Sequence, residues 1–489
     1  MEDRVENNYN IGYLEKIADK VLPISVFSGS FISLILSFYF YPFFGNNEQL
    51  RLIVSGGING LVTIVLMSYF INVFRTSDSK KPILVSFIIP CVWMMASVLA
   101  IIIYNLSVGM LFQLVQFGIF GMQMYFTAII VVIKNKFMKF ISYFDYYALV
   151  LIPFSIFYII RYFVAEWSEQ NPLNCFAGMT YMTIAFIFLP VIAVMISQCF
   201  LLEHSTRKNA FHILCSILFW CVIVFSGTRS AIVCIFFFLV CMFFFNFILK
   251  LKKLRALVIL TAIFIGIFIL CTYIILPEGT GHAVRSENFN YDMDIYHNES
   301  RKNLEVYDAE HNTETINVQE FYVNYLVNSG KNKDESIAEL HKNLKDGKPI
   351  LDFKSDKDEQ TFKSYELYFG RNILFDLSIQ ECKSAILFGH GTNYYQNKYD
   401  NYPHNSFLEV LCDYGLVGLI IFTSIIILIL IKVFPIAIQN RFVCILLLLC
   451  LMWIPISCLS GTVYLNYNLI FSISFGLICI LFKERLLNK

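Results

Sequence analysis

His404 carries the clearest chemical signal in this sequence. His404 and Asn405 stand where a polar loop meets an apolar stretch, and Gly415 and Gly418 follow them at a fixed offset. The pattern reads His-Asn, nine residues, Gly, two residues, Gly. An unperturbed imidazole has a pKa of about 6.5, so most of it is free base at neutral pH and can accept a proton. The motif therefore predicts a titratable base at a membrane surface, where an otherwise apolar protein can do chemistry in water.

The composition indicates an integral membrane protein. Of 489 residues, 57% are hydrophobic and only 15% are charged, which excludes a soluble globular chain and a disordered one. About half of the charged residues fall in the stretch from Pro277 to Pro403, the only sizeable aqueous part. The 14 cysteines lie mostly in apolar runs, where cysteine behaves as a small hydrophobe. Only Cys382 lies in the polar stretch, so no disulfide framework is expected.

Apolar runs long enough to cross a bilayer as helices recur along the chain, because a span needs roughly 20 apolar residues. The sequence predicts an all-α polytopic membrane protein with about 12 transmembrane helices. The predicted spans are approximately Leu22–Phe44, Leu52–Phe74, Ile83–Tyr104, Val108–Ile133, Ile141–Val164, Ala177–Phe200, Asn209–Phe225, Ala231–Leu249, Leu257–Leu276, Phe407–Phe434, Phe442–Leu459 and Tyr464–Phe482.

Every second short connection between these spans is basic, which predicts that those connections are cytoplasmic. Both termini are then inside, and the long loop between helices 9 and 10 is outside. The basic groups are Arg75, Lys80 and Lys81; Lys134, Lys136 and Lys139; Arg207 and Lys208; Lys250, Lys252, Lys253 and Arg255; Lys432 and Arg441; and Lys483, Arg485 and Lys489.

The chain accordingly divides into a membrane domain at 1–276 (helices 1 to 9), an external loop at 277–406 and a second membrane part at 407–489 (helices 10 to 12). The loop is a polar, variable insertion to about residue 364, with helical stretches such as Asp334 to Leu344. An amphipathic segment then begins near Arg371 and lies on the membrane or against the helices. Phe388, Gly389, His390 and Gly391 predict a turn.

Four closely spaced tyrosines precede His404. In a wet cleft they could stack on sugar rings, and at a bilayer surface they could equally be interfacial anchors. The sequence leaves these two interpretations open. The residues are Tyr394, Tyr395, Tyr399 and Tyr402.

Three pieces of the sequence line up with one family. They are a short turn from Ser226 to Ala231 that contains Arg229, a segment opened by Gly370 and Arg371, and the His404 motif. Together they resemble the O-antigen ligase and O-antigen polymerase superfamily, membrane glycosyltransferases of the GT-C type. Phe375 stands where a Trp is common in that family, and the insertion is longer than is typical.

The resemblance implies an inverting glycosyltransferase that needs no metal and no cofactor. Its donor would be a glycan on undecaprenyl diphosphate, and its acceptor a sugar hydroxyl on the lipid A core or on a lipid-linked repeat unit, at the outer face of a bacterial inner membrane. By resemblance His404 activates the acceptor, and Arg229 and Arg371 bind the diphosphate, since arginine can hold phosphate oxygens bidentately. Arg161 is a further candidate for the diphosphate, because charges at membrane depth tend to be functional.

Other interpretations remain. His404 could simply precede a helix capped by Asn405, Arg229 and Arg161 could snorkel to headgroups, and Arg371 could be a solvated loop charge. The protein could act as a ligase or a polymerase, attach glycan to protein, or, in another class, move lipid-linked oligosaccharide as a flippase. The sugar, the linkage, the acceptor and the oligomeric state are not encoded in any recognisable pattern. Three glutamines, Gln113, Gln116 and Gln123, share one helix face and are candidates for interhelical hydrogen bonds.

Overall fold

The chain was examined in a computed structural model. At 108–119, 161–164, 181–183 and 229 the backbone alone is described. The described residues are 13–27, 30–40, 43, 48–77, 80–87, 108–164, 181–271, 303–306, 314–317, 378–379, 381–391, 394–395, 403–459 and 467–487.

Helices dominate the described part of the chain, as the apolar runs predict. A short 3₁₀ helix at Leu22–Phe27 precedes them. The helices are α1 (Ser30–Tyr39), α2 (Glu48–Thr76), α3 (Val108–Ile133), α4 (Phe137–Val164), α5 (Tyr181–Leu201), α6 (Thr206–Ser226), α7 (Arg229–Ile248), α8 (Leu254–Ile269), α9 (Ser406–Gln439), α10 (Arg441–Met452), α11 (Ile454–Leu459), α12 (Tyr467–Leu481) and α13 (Lys483–Leu487).

Within the described residues, seven helices are long and apolar enough to cross a membrane, or eight if one bent pair is a single span. The seven coincide with predicted spans 2, 5, 6, 7, 8, 10 and 11, and shorter apolar helices coincide with predicted spans 4, 9 and 12. The first predicted span is not one straight helix, because its two pieces meet at 95°. Only 83–87 of the third is described. A polytopic helical membrane protein is thus confirmed, and the count of 12 stays a prediction.

The insertion contributes a short pair of strands rather than helix alone. β1 (Asn303–Val306) pairs antiparallel with β2 (Glu314–Asn317), with Asn303 opposite Asn317 and Val306 opposite Glu314. The rest of the described chain is mainly helical, as predicted. The predicted helical stretch from Asp334 to Leu344 lies outside the described residues.

α5 forms the centre of the helix packing. It is apolar on every side, as a helix with no solvent face should be, and 94% of its span Ile184–Leu201 is buried. It packs against α1, α4, α6, α7 and α10. Elsewhere Gln123 Nε2 on α3 donates to Asn59 O at 2.7 Å and to Thr63 Oγ1 at 3.0 Å on α2. This confirms the interhelical role predicted for Gln123, whereas the Gln113 and Gln116 side chains lie outside the described residues.

Basic connections that the sequence places on one side meet at one end of the helices. Lys253 Nζ donates to Cys199 O at 2.7 Å and to Leu202 O at 3.2 Å, and Arg441 Nη1 donates to Leu201 O at 3.1 Å. Cations therefore cap the carbonyl end of α5, where the helix dipole favours positive charge. The same end holds a stack of Phe137 on Phe442.

The buried Asp19 and the half-buried Asp145 pair with further basic side chains there. Lys136 contacts Asp19, and Lys139 Nζ lies 2.9 Å from Asp19 Oδ2. Lys208 Nζ lies 3.0 Å from Asp145 Oδ2, and His212 Nε2 lies 2.9 Å from Asp145 Oδ1. We call this the basic end. α9 runs from the opposite end, at Ser406, to the basic end, at Gln439, so its 34 residues place His404 far from these ion pairs.

Candidate active site

His404 sits immediately outside the start of α9, next to a conventional helix cap. Asn405 is the N-cap, with φ −146° and ψ 109°, and its Oδ1 accepts from Phe407 N at 2.9 Å and Leu408 N at 3.1 Å. Two of the backbone N–H groups left without helix partners are thereby satisfied. The capping role considered for Asn405 is confirmed. His404 itself has φ +53° and is half-buried, and Pro403 before it is buried.

A left-handed backbone at His404 is uncommon for a side-chain-bearing residue, although His and Asn tolerate it better than most. The conformation turns the chain sharply into the helix. Glu409, one turn into α9, is 2% exposed, and a carboxylate there is favoured by the positive end of the helix dipole.

α9 breaks ten residues after its cap, at Gly415. Gly415 has φ +66° and ψ −166°, a combination that is essentially restricted to glycine. Gly415 was expected to lie within a continuous helix, and this expectation is wrong: α9 is two helical pieces joined by a kink. A break in a membrane helix leaves carbonyls and N–H groups without partners, and each must find one elsewhere.

The loop ending at Gly391 supplies those partners. His390 N donates to Cys412 O at 2.9 Å and Gly391 N to Asp413 O at 2.9 Å, on one side of the break. On the other side Leu416 N donates to Ile386 O at 2.8 Å. Val417 N adds a bond to Leu387 O at 3.2 Å. The turn predicted at 388–391 is confirmed, with φ +71° at Gly389 and +104° at Gly391.

The two segments touch so closely that both contact points require glycine. A Cβ on Gly389 would overlap the backbone of Asp413, and a Cβ on Gly415 would overlap the backbone of Leu387. Each glycine therefore needs its positive φ and its missing side chain at once. Gly418 is simpler: a Cβ there would meet the Tyr414 side chain one turn earlier.

Polar side chains hold this docked loop from the inside. Glu381 and Asp413 are 3% and 1% exposed. Tyr394 connects them, since its hydroxyl donates to Glu381 Oε2 at 2.8 Å and its backbone N donates to Asp413 Oδ1 at 3.2 Å. The His390 ring stacks on Tyr394 with centroids 4.1 Å apart, and its Nε2 lies 2.9 Å from Ser384 Oγ. We call 378–391 with 394–395 the docked segment.

The docked segment also presents apolar side chains outward. Phe388 is 75% exposed, and Ile386 and Leu387 are exposed beside it. They lie next to Leu416 and Val417 on α9, which are exposed as well. Exposed apolar groups on both segments agree with the amphipathic, membrane-lying segment that the sequence predicts.

Two cysteines meet inside the same contact. Cys382 Sγ lies 3.0 Å from Cys412 Sγ, and Cys412 Sγ donates to Ser378 O at 3.2 Å. The hydrogen bond with Cys412 lowers the pKa of the Cys382 thiol, against the opposing effects of burial and of the carboxylates of Asp413 and Glu381. Sequence reasoning treated Cys382 as solitary because its partner lies in an apolar run.

The Ser226–Ala231 turn joins α6 to α7 at the end opposite the basic end. Gly227 closes α6 in the left-handed conformation, with φ +66°, and Thr228 is the N-cap of α7. Ser226 Oγ lies 2.9 Å from Thr228 Oγ1, and both residues are buried. Arg229 is the first residue of α7. Ser230 Oγ is buried and has no hydrogen-bond partner among the described residues.

The structure places the predicted site residues unevenly. It holds Tyr394 against Asp413 of α9, and Tyr395 is fully buried. Tyr394 anchors Glu381. Arg371, Tyr399 and Tyr402 lie outside the described residues, as do the side chains of Arg161 and Arg229. Convergence of the arginines on His404 therefore stays a prediction.

Sequence reasoning missed three buried acids at this corner: Glu381, Glu409 and Asp413. A usable signal existed for two of them. Glu409 and Asp413 lie four residues apart in an otherwise apolar span, and ionisable groups in such spans tend to have specific roles.

Comparison with known proteins identifies a family. Residues 214–423 match the family model described as O-antigen ligase. The matched range contains Arg229, Arg371, the docked segment and the complete His404 motif, and it excludes Arg161. This confirms the superfamily resemblance. No curated protein matches the chain.

Proposed function

We propose that the protein transfers a glycan from undecaprenyl diphosphate to an acceptor sugar hydroxyl at the outer face of the membrane, and the match of residues 214–423 to the family model described as O-antigen ligase supports this. The observation that carries the proposal is the construction of the His404 corner. A half-buried imidazole stands at the start of a capped helix, and a second segment clamps the break in that helix.

His404 acts as the general base in this proposal. Its imidazole takes the proton of the acceptor hydroxyl while the acceptor oxygen forms a bond to the anomeric carbon of the donor sugar. The bond from that carbon to the diphosphate oxygen breaks on the opposite face, so the configuration inverts. Undecaprenyl diphosphate leaves with the electron pair. The Asn405 cap and the left-handed backbone at His404 fix the point on the backbone from which the imidazole side chain extends.

Arg229 and Arg371 neutralise the diphosphate as it leaves. Support comes from the position of Arg229 as the first residue of α7, because a helix start offers unpaired N–H groups and a positive dipole end to an anion. Ser230 Oγ, buried beside it with no partner among the described residues, is a further donor for a phosphate oxygen. Arg161 is proposed as an additional contact.

An apolar cavity beside the His404 corner suits the lipid part of the donor. It begins at Phe407, three residues after His404, and has a cavity volume of about 80 Å³. Ile429 and Val433 of α9, Trp453, and Ile473 of α12 line it further along. We propose that the first isoprenoid units of the donor lie in this cavity, with the diphosphate at its His404 end.

The outer location rests on charge. Basic connections meet at the opposite end of α9, which the positive-inside rule assigns to the cytoplasm. The His404 corner is then periplasmic, the termini are cytoplasmic, and 277–406 forms the external loop.

The direct test is His404→Ala in a strain that lacks the chromosomal copy. We expect surface glycan attachment to be abolished while the protein persists in the membrane at its normal level. Full glycan attachment in that variant would contradict the proposal.

A polymerase of the same superfamily is the alternative, and a deletion strain separates the two on a gel of surface glycolipid. Loss of a ligase removes all attached O-antigen, whereas loss of a polymerase leaves a single repeat unit attached. A flippase would instead move glycolipid across vesicles of purified protein without forming a glycosidic bond. We favour the ligase because the matched family is described as O-antigen ligase.

A further inference from the structure

Cys382 and Cys412 form the strongest feature that the proposed transfer reaction leaves unused. Their sulfur atoms lie 3.0 Å apart as free thiols, 30 positions apart in the chain. Cys382 belongs to the docked segment and is 5% exposed, whereas Cys412 belongs to the first piece of α9 and is fully buried. The contact therefore joins the two segments that meet at the helix break.

We propose that Cys382 and Cys412 are a cross-linking site, oxidised to a disulfide in the mature protein. The inference rests on the outer location proposed above, since disulfides persist in the periplasm and are rare in the cytoplasm. It is independent of which glycan is transferred and of the role of His404.

The surrounding backbone already holds the two sulfurs in place. His390 N bonds to Cys412 O itself, and Gly391 N bonds to the next carbonyl, that of Asp413. The Cys412 thiol points at the turn that carries Cys382, because it donates to Ser378 O at 3.2 Å. A disulfide has a sulfur–sulfur distance of about 2.05 Å, so closure needs a shift of roughly 1 Å and no change in the fold.

The chemistry is a thiol–disulfide exchange with a disulfide-bearing oxidant. Because both cysteines are buried in the docked state, exchange begins while the segment is still undocked. The Cys382 thiolate attacks the oxidant's disulfide and forms a mixed disulfide, which releases one oxidant thiolate. As the segment docks, the Cys412 thiolate displaces the second oxidant thiol and closes the Cys382–Cys412 bond. The cysteine pair loses two electrons and two protons, and the oxidant's disulfide takes both.

Such a bond would enclose His404 in a covalent ring. Residues between 382 and 412 include the glycine turn, Tyr394, the Asn405 cap and Glu409. A closed ring of this length restricts the unfolded ensemble and so favours the docked arrangement. The consequence is that reduction should loosen the corner without touching any group in the proposed reaction.

The test uses full-length protein in its native membranes. Free thiols are blocked with N-ethylmaleimide under denaturing conditions, the protein is digested without reductant, and the peptides are analysed by mass spectrometry. We expect a peptide pair joined through Cys382 and Cys412. The pair should vanish in Cys382→Ser and in Cys412→Ser, and persist in Cys450→Ser, a matched control buried in α10. N-ethylmaleimide on both Cys382 and Cys412 of the unsubstituted protein would overturn the proposal.

A melting experiment provides a second measurement. Reductant should lower the melting temperature of the unsubstituted protein and leave that of the Cys382→Ser, Cys412→Ser double variant unchanged. If reductant leaves the melting temperature of the unsubstituted protein unchanged, the cross-link does not stabilise the docked arrangement, and the proposal is refuted on that point. Glycan transfer measured on the same membranes separates the failures: transfer with both thiols alkylated refutes only the cross-link, whereas a cross-linked protein whose His404→Ala variant still transfers refutes only the proposed function.

Discussion

Two connections in this protein place a histidine directly before a helix cap. His204 precedes Ser205, which caps α6, and His404 precedes Asn405, which caps α9. Both histidines are half-buried. In both connections the histidine comes directly before the capping residue, but the groups packed around the two histidines differ.

At the basic end the surroundings favour the neutral form of His204. Burial lowers its pKa, and the neighbouring cation Lys208 lowers it further. The helix that follows runs without a break, and cations cap nearby carbonyls. At the other end α9 breaks at Gly415, and a distant segment docks there, with Tyr394 N donating to the buried Asp413.

The comparison shows that the His-cap pair alone does not define a site. The two corners differ because only α9 breaks, at Gly415, and only there does the docked segment supply hydrogen-bond partners for the broken helix. Gly415 of the motif thus permits the break and the close contact with the docked segment, whereas Gly418 leaves room for the Tyr414 side chain. Each prediction below changes one corner and uses the other, or a position elsewhere in the chain, as its control.

His404→Asn should have the largest effect. Asn tolerates the left-handed backbone of His404 and removes the imidazole, so the corner should stay folded. Loss of a general base typically costs about 10²–10⁴-fold in rate. Transfer measured in membranes should fall by about that factor, whereas His204→Asn should leave it near normal. Equal losses in both variants would remove the distinction between the corners.

Gly415→Ala should destabilise the protein severely. A Cβ there overlaps the backbone of Leu387, and the backbone angles of Gly415 cost a non-glycine residue about 1–3 kcal/mol before that overlap is counted. We expect little folded protein in detergent by size-exclusion chromatography. Gly57→Ala is the control, because a Cβ on Gly57 in α2 meets nothing within 4 Å. A normal yield of Gly415→Ala would mean that the docked segment does not close on the break.

Tyr394→Phe should have an intermediate effect. It removes the hydroxyl that donates to the buried Glu381, and a weakened partner for a buried acid costs about 1–3 kcal/mol. The melting temperature should fall measurably. Tyr147→Phe, which loses a bond to Lys20 O near the basic end, should lower it less. The reverse order would indicate that Glu381 does not depend on Tyr394.

Asn405→Ala should have the smallest effect on stability. Removing an Asn cap costs about 1 kcal/mol. Asn440 caps α10 in the same way, with Oδ1 accepting from Phe442 N and Val443 N, and its Nδ2 also donates to Leu486 O at 3.2 Å, so Asn440→Ala should cost somewhat more. The rate of glycan transfer should distinguish the two variants, because it should fall in Asn405→Ala and stay near normal in Asn440→Ala. A fall of equal size in both would make the Asn405 cap purely structural.

Local patterns in the sequence predicted the local features. The Asn405 cap, the turn at Gly389 and Gly391, the bond made by Gln123 and the apolar spans were all readable because each depends on residue type and short spacing. The break at Gly415 was not readable. Its reason is a backbone that approaches from 28 positions earlier, at Leu387, and no periodicity within α9 reports that contact.

The same limit explains the side chains that were missed. Glu381, Tyr394 and Asp413 form one group only after the docked segment reaches α9. Cys412 looked like one more small hydrophobe of an apolar span until Cys382 was placed beside it. Sequence patterns therefore predict features within one helix or loop, and they miss contacts between two segments that are distant in the chain.

The repaired break in α9 also constrains how the protein is made. Until the docked segment arrives, the carbonyls of Cys412 and Asp413 and the N–H groups of Leu416 and Val417 have no partners, which in lipid costs several kcal/mol for each group. The docked segment precedes α9 in the chain, so synthesis delivers it first. Biogenesis must nonetheless keep it available until α9 is inserted, which makes this helix a late and dependent step of insertion.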